Sequence, residues 1–255
     1  MDMQLKYTNL LYNQEIVYIS LKRAPVNFLN PVFMEELDQI YSILYNDNTI
    51  KFVVLQSECE KFFSNGIDIE HLLSGGVELK TNTFMQFFAL INKIYLCPKI
   101  QYAIINGNAM AGGAVLASVM DYRILSNEKY RFSFNEVKLG LPLPLSLTRI
   151  VESIIGSQNI KQALYEGEAY KPEEARHIGL ADILCEKNLL TSQLQRHIKK
   201  ISRLSFNAYI KSKLEFRNYI ISSSKRENEQ FLLDLPSFFN TNFDNSLRYI
   251  QNKMA

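Results

Sequence analysis

Read from the N-terminus, the chain alternates short apolar runs with amphipathic stretches. Val17-Tyr18-Ile19-Ser20-Leu21 has β composition and breaks before Pro25. Pro31 then opens the stretch 32–44, in which Phe33, Leu37, Ile40 and Leu44 recur at the helical period, so strand, loop and helix are predicted in that order. Phe52-Val53-Val54-Leu55 predicts a second strand, followed by a loop over 58–68 and a helix from near Ile69. The unit repeats. A helix ends at Tyr95-Leu96-Cys97-Pro98, 102–105 reads as a strand, 109–120 as a small-residue helix buried on most sides, and 122–125 as a strand, while 130–134 alternates with the strand period. Uninterrupted apolar runs belong to strands covered on both faces, and their alternation with helices predicts an α/β fold with parallel strands. After Pro144 the pattern turns helical over 145–155, 158–165 and 172–178, then over long amphipathic stretches at 189–222 and 227–254. The division expected is a core over 1–189 and a helical region over 190–255, with no internal sequence repeat and no low-complexity linker.

Composition narrows the class without naming a chemistry. At 255 residues, 47% apolar and 21% charged, the chain suits a globular protein with a sizeable core and excludes disordered and fibrous classes. The net charge of +2 comes from interspersed signs, which gives no nucleic-acid groove and no membrane-surface stripe. Cys59, Cys97 and Cys185 are odd in number and lack metal-ligand spacing, as suits small buried side chains in a reducing compartment. His71, His177 and His197 share no ligand spacing either, so no metal site is expected. No apolar run reaches membrane length, and Met1-Asp2-Met3-Gln4 opens no basic and apolar leader. The expected location is the cytoplasm.

Candidate chemistry begins where the strand at 102–105 runs into Asn106-Gly107-Asn108-Ala109-Met110-Ala111-Gly112-Gly113-Ala114-Val115. Two glycines at the mouth of a helix leave N–H groups that an oxyanion can approach closely; the same pair also suits tight packing of helix on sheet. Phe62-Phe63-Ser64-Asn65-Gly66-Ile67-Asp68-Ile69 places another glycine between strand and helix and exposes the N–H of Ile67, with Asp68 set to cap the helix. The N–H groups of Ile67 and Gly112, from separate strand-to-helix turns, can converge on one carbonyl oxygen and hold an enolate as it forms, which is an oxyanion hole. Glu136 is the candidate base. Burial among Phe134, Val137 and Leu141 would raise its pKa towards neutrality, whereas a glutamate at a surface turn simply stays solvated. The run Phe84, Met85, Phe87, Phe88 and Leu90 suits the wall of an apolar tunnel or ordinary core. Lys211, Lys213, Arg217, Lys225 and Arg226 read first as solvated helix faces, and Asp121 as an anchor after the buried helix.

These residues resemble the crotonase superfamily, also called the enoyl-CoA hydratase/isomerase family, over most of the chain. Four segments carry the resemblance in family order: Asn27-Phe28-Leu29-Asn30 with Phe33 to Leu37, Phe62 to Asp68, Ile105-Asn106-Gly107 through Gly112-Gly113 to Asp121-Tyr122-Arg123-Ile124, and Phe134 to Pro142. The resemblance implies a crotonase-like spiral of ββα units whose C-terminal helices build a homotrimer or hexamer and close the pocket. It implies an acyl thioester of coenzyme A or a carrier protein as substrate, with no cofactor beyond the coenzyme A carried by the substrate. By the same resemblance Ile67 and Gly112 polarise the thioester carbonyl, and Phe62, Ser64, Gly66, Asp68, Gly113, Val115 and Leu141 bind substrate. Hydratases of the family use two glutamates; Val115 stands where the first would be, and Glu136 matches the second. One base suffices to carry a proton from C2 to C4 of a 3-enoyl thioester, and an apolar Val115 keeps water from the intermediate. The pattern is most similar to the 3-enoyl-CoA to 2-enoyl-CoA isomerases of lipid metabolism. Hydration, dehydration or decarboxylation of acyl thioesters, and a catalytically silent acyl-CoA-binding homologue, stand as alternatives.

Overall fold

The apolar runs sort into two sheets, as a computed structural model that describes residues 5–254 makes plain. The larger sheet has the order β1-β2-β3-β5-β7-β10, formed by Thr8–Asn13, Ile16–Leu21, Phe52–Ser57, Ile100–Ile105, Tyr122–Ser126 and Ile183–Cys185; the smaller has the order β4-β6-β8-β9, formed by Phe62–Ser64, Asn108–Met110, Phe132–Ser133 and Ala169–Tyr170. Only β1 with β2 and β8 with β9 pair antiparallel. Each turn of the chain gives one strand to each sheet and then a helix, so the expected ββα spiral is present: β3, β4, then α2 (Ile69–Leu73) and α3 (Val77–Tyr95); β5, β6, then α4 (Gly112–Ser118); β7, β8, then α5 (Leu145–Ile155). Helix α1 (Pro31–Asn46) precedes the spiral, capped by Asn30 Oδ1, which accepts from Phe33 N–H at 2.9 Å.

The sequence pattern shows only one strand of the smaller sheet, β8, which falls within the alternating run 130–134. Strands β4 and β6 have three residues each, too few for a period to show. Phe62–Ser64 falls in the predicted loop, and Asn108–Met110 in the predicted helix, which begins only at Gly112. The larger sheet is legible because both its faces are covered. Val53, Leu55, Ala103 and Ile105 face the main core with α1 and α3; Val54, Tyr102, Ile104 and Ile124 face α8 (Leu190–Ile201) through Leu190, Leu194, Ile198 and Ile201.

Helices α6 (Ser157–Ile160) and α7 (Pro172–Ile178) lead to β10, and α8 is followed by α9 (Phe206–Ser223), α10 (Lys225–Phe238) and α11 (Thr241–Met254). The tail is bound to the spiral by buried charge. Asp121 accepts from Gln101 N–H at 2.7 Å, from Lys213 Nζ at 2.7 Å and from Arg217 Nη2 at 2.8 Å, while Arg217 Nη1 donates to the Tyr95 carbonyl at 2.6 Å. Asp121 is thus the anchor expected, whereas Lys213 and Arg217 are not solvated: they are buried counter-ions to it. No helix among the described residues is long and apolar enough to cross a membrane.

Removing one member of a buried ion cluster leaves the others uncompensated. Asp121→Asn should lower unfolding stability by about 3 kcal/mol, read by urea denaturation, while Lys225→Ala, which breaks an exposed pair with Glu229, should change it by less than about 0.5 kcal/mol.

Candidate active site

The three parallel strands β4, β6 and β8 stop side by side, so the turns that leave them meet. Those turns carry Ile67, Gly112 and Glu136, which line one cavity. Sheets of parallel strands commonly place sites at these carboxyl ends, where successive loops converge.

The first two turns are locked together through backbone. Leu29 N–H donates to the Gly66 carbonyl at 2.8 Å and the Leu29 carbonyl accepts from Asp68 N–H at 3.0 Å. Peptide groups alternate in extended chain, so the intervening Ile67 N–H points away from Leu29. Gly66 has φ +82° and no room for a side chain, since a Cβ there would lie 2.9 Å from Gly112 N. Ala111 precedes Gly112 in a strained conformation, φ +47° and ψ −127°, held by its N–H donating to the Ser133 carbonyl at 2.8 Å. Gly112 opens α4, so its N–H has no partner within the helix. Two N–H groups therefore reach one wall of the cavity.

Glu136 lines the same cavity. It starts a 3-10 turn, Glu136–Leu139, closed by Gly140 at φ +79°. The residue is 7% exposed, and its Oε2 has no hydrogen-bond partner among the described residues. Burial pushes the carboxyl up from its ordinary 4.5 to about 7. Its surroundings are Phe84, Phe87, Phe88, Leu139, Leu141 and Leu143, together with Phe243, Leu247 and Ile250 from α11. Among the described residues that line this cavity, Glu136 alone is ionisable. The arrangement supplies two hydrogen-bond donors and one carboxyl in an enclosure that is apolar apart from Asn65 and Asn135.

Other expected site residues divide. Leu141 lines the cavity, as do Phe84, Phe87 and Phe88; Met85 is exposed and Leu90 belongs to the core. Val115 does not line it: at 2% exposed it is packed into the core. Phe62 is half-buried in β4, and the Ser64 hydroxyl turns inward, donating to the Asn27 carbonyl at 2.8 Å and accepting from Gly66 N–H at 3.2 Å. Gly113 serves packing, since a Cβ there would fall 2.1 Å from the Ser64 carbonyl oxygen. Asp68 caps α2 by accepting from His71 N–H at 3.2 Å and pairs with Arg23 at 2.5 Å. It lines an adjoining groove of about 440 Å³ with Arg23, Ala24, Pro25 and Phe28, and Ile69 is common to groove and cavity. The C-terminal region is expected to close the pocket, and it is α11 that does so, through Phe243, Leu247 and Ile250 at the helical period, residues the sequence does not single out. No group of three His, Cys, Asp or Glu side chains among the described residues is placed to hold a metal.

Comparison with known proteins follows the same line. The family model described as enoyl-CoA hydratase/isomerase matches residues 12–246. A mouse protein named enoyl-CoA delta isomerase 1, mitochondrial, is 28% identical over 72% of this chain, and the match spans 64% of that protein's length. A short-chain-enoyl-CoA hydratase of Clostridium acetobutylicum is 30% identical over 73% of this chain and 70% of its own. The crystal structure of human mitochondrial delta3-delta2-enoyl-CoA isomerase superposes with a TM-score of 0.91 at 24% identity, covering 98% of both chains, which establishes the likeness of fold.

The raised pKa of Glu136 has a thermodynamic signature. The folded chain keeps this proton up to about pH 7 and the unfolded chain releases it near 4.5, so folding binds a proton between the two. The contribution of Glu136 to stability is therefore fullest below 4.5 and is lost as pH rises, by about 3 kcal/mol above pH 7. Glu136→Gln removes this dependence. Denaturation of both proteins across that range should show the variant gaining about 3 kcal/mol on the parent from the acid to the neutral end.

Proposed function

Because the chain belongs to the enoyl-CoA hydratase/isomerase family, we propose that it moves the double bond of a 3-enoyl thioester into conjugation, giving the 2-enoyl thioester. The observation that carries this reading is the solitary ionisable side chain in the acyl cavity. Glu136, as carboxylate, takes a proton from C2; the electrons flow into the carbonyl, and the dienolate oxygen is held by the N–H groups of Ile67 and Gly112. Glu136, now neutral, returns the same proton to C4 and the carbonyl re-forms. The proton count closes on one residue, so no cofactor is required. A buried carboxyl titrating at about 7 suits both halves, being basic enough to take the proton and acidic enough to give it back. The apolar lining keeps water from the dienolate. The adjoining groove, with Arg23 at its edge, suits the carrier arm of coenzyme A or of a carrier protein, joined to the cavity at Ile69.

A second reading, hydration of a 2-enoyl thioester, has support in the clostridial relative named a hydratase. It needs a water held for attack and a second group to handle its proton. The cavity lining, with Glu136 its one ionisable group among the described residues, favours isomerisation. The exposed aromatic and aliphatic residues Phe216, Tyr219 and Leu233 on α9 and α10 support self-association through the C-terminal helices into a trimer or hexamer. The three unpaired cysteines suit a reducing compartment such as the cytoplasm.

The parent protein given a 3-enoyl-CoA should yield the conjugated product with no 3-hydroxyacyl-CoA; a hydroxyacyl product would replace this reading with hydration. Glu136→Gln should lower kcat by about 1,000-fold while still binding acyl-CoA, and retained turnover would remove Glu136 from its role. The base must be ionised in the free enzyme, so kcat/KM should rise with pH through about 7 and level off above it. Light scattering should return a trimer or hexamer mass.

A further inference from the structure

Helix α11 lies over the whole length of the site. Phe243, Leu247 and Ile250 face the cavity of Glu136, and Gln251, one residue on, lines the groove that holds Arg23 and Asp68. With α11 in this position the cavity offers about 60 Å³ of free space, room for roughly four water-sized groups. A short acyl chain fits such a volume. A long one meets the aromatic wall where Phe84 stacks on Phe239 at 5.3 Å and Phe239 meets Phe243 at 5.1 Å.

The connection that precedes α11 is built to bend. Pro236 sits in the last turn of α10, where it can donate no backbone hydrogen bond. The two residues after α10, Phe239 and Asn240, begin a new helix with its own cap: Asn240 Oδ1 accepts from the N–H groups of Asn242 at 3.0 Å and Phe243 at 3.2 Å. The cap belongs to α11 itself, so the helix can pivot at 239–240 without losing its first turn.

Besides the burial of Phe243 and Leu247, one ion pair among the described residues ties it to α3. Lys80, on α3, has a side chain only 4% exposed; its Nζ lies 2.9 Å from Asp244 Oδ1 and donates to the Gly75 carbonyl at 3.2 Å. Asp244 stands on α11 beside Phe243 and is 34% exposed. A buried ammonium needs its counter-ion, and only a closed α11 brings one. We propose that the Lys80–Asp244 pair is a latch on α11 that sets the acyl length the site accepts, favouring short chains that bind beneath the closed helix over long chains that must displace it. This rests on the acyl-thioester reading above.

Saturated acyl-CoA molecules, which bind without reacting, separate the latch from the chemistry. The parent should bind butanoyl-CoA more tightly than dodecanoyl-CoA. Asp244→Asn should improve dodecanoyl-CoA binding by about tenfold and leave butanoyl-CoA unchanged, and Lys80→Met should do the same. Hydrogen exchange of the ligand-free proteins should show faster exchange over 241–254 in Asp244→Asn, with α1 unaltered. Equal affinity of the parent for both lengths, an equal effect of Asp244→Asn on both, or unchanged exchange over 241–254 would each overturn the latch. If neither ligand binds the parent, the thioester reading fails, while the exchange measurement still decides whether Asp244 restrains α11.

Discussion

Everything at this site depends on two backbones touching. The turn after β4 and the entry to α4 approach so closely that a single methyl group on Gly66 or Gly113 would collide with main-chain atoms of the other. That contact, and not any side chain, places the N–H groups of Ile67 and Gly112 on one wall. Hydrogen bonds from Leu29 on one side and Ser133 on the other fix the two peptides from outside. A donor pair held this way needs no reorganisation when charge develops in front of it, which is the condition under which such donors are most effective.

The carboxyl facing this pair is expensive to keep. Glu136 is ionised only at the cost of burying charge among leucine and phenylalanine side chains, so the residue that supports the proposed chemistry weakens the fold near neutral pH. Elsewhere in the fold buried charge is paired. Around Asp121, at the other end of α4, Lys213 and Arg217 satisfy a carboxylate completely and bind α9 to the spiral. The same helix thus begins at the donor pair and leads to the ion cluster that secures the C-terminal helices.

How much of this the sequence discloses follows from length and period. Strands β2, β3, β5 and β7 and helix α1 are long enough for their apolar residues to declare the period. The strands β4 and β6 are not; β8 shows only as part of the alternating run 130–134, and the pairing that joins the three is encoded by no local pattern. The N–H donors and Glu136 are nonetheless legible, because Gly66, Gly112 and the Asn135–Leu141 segment stand in recognisable motifs. Val115 shows the opposite case: its place in the motif is clear, but its side chain turns into the core, so the motif position alone misjudges what it touches. Lys213 and Arg217 were misjudged for a related reason. A charged residue on an amphipathic helix reads as solvated until the partner buried opposite it, here Asp121, is known. That C-terminal helices close the pocket is implied by the family resemblance, but which side chains of α11 do so is not, since the helix period reveals an apolar face and not what that face covers.

Strands β6 and β8 are adjacent, and the N–H of Ala111 at the end of one is bound to the Ser133 carbonyl at the end of the other. Three residues beyond Ser133 stands Glu136; one residue beyond Ala111 stands Gly112. The segments that carry Gly112 and Glu136 are therefore joined by one backbone hydrogen bond at the strand ends. A substitution that shifts either strand acts on that shared bond, and so on the setting of both residues at once.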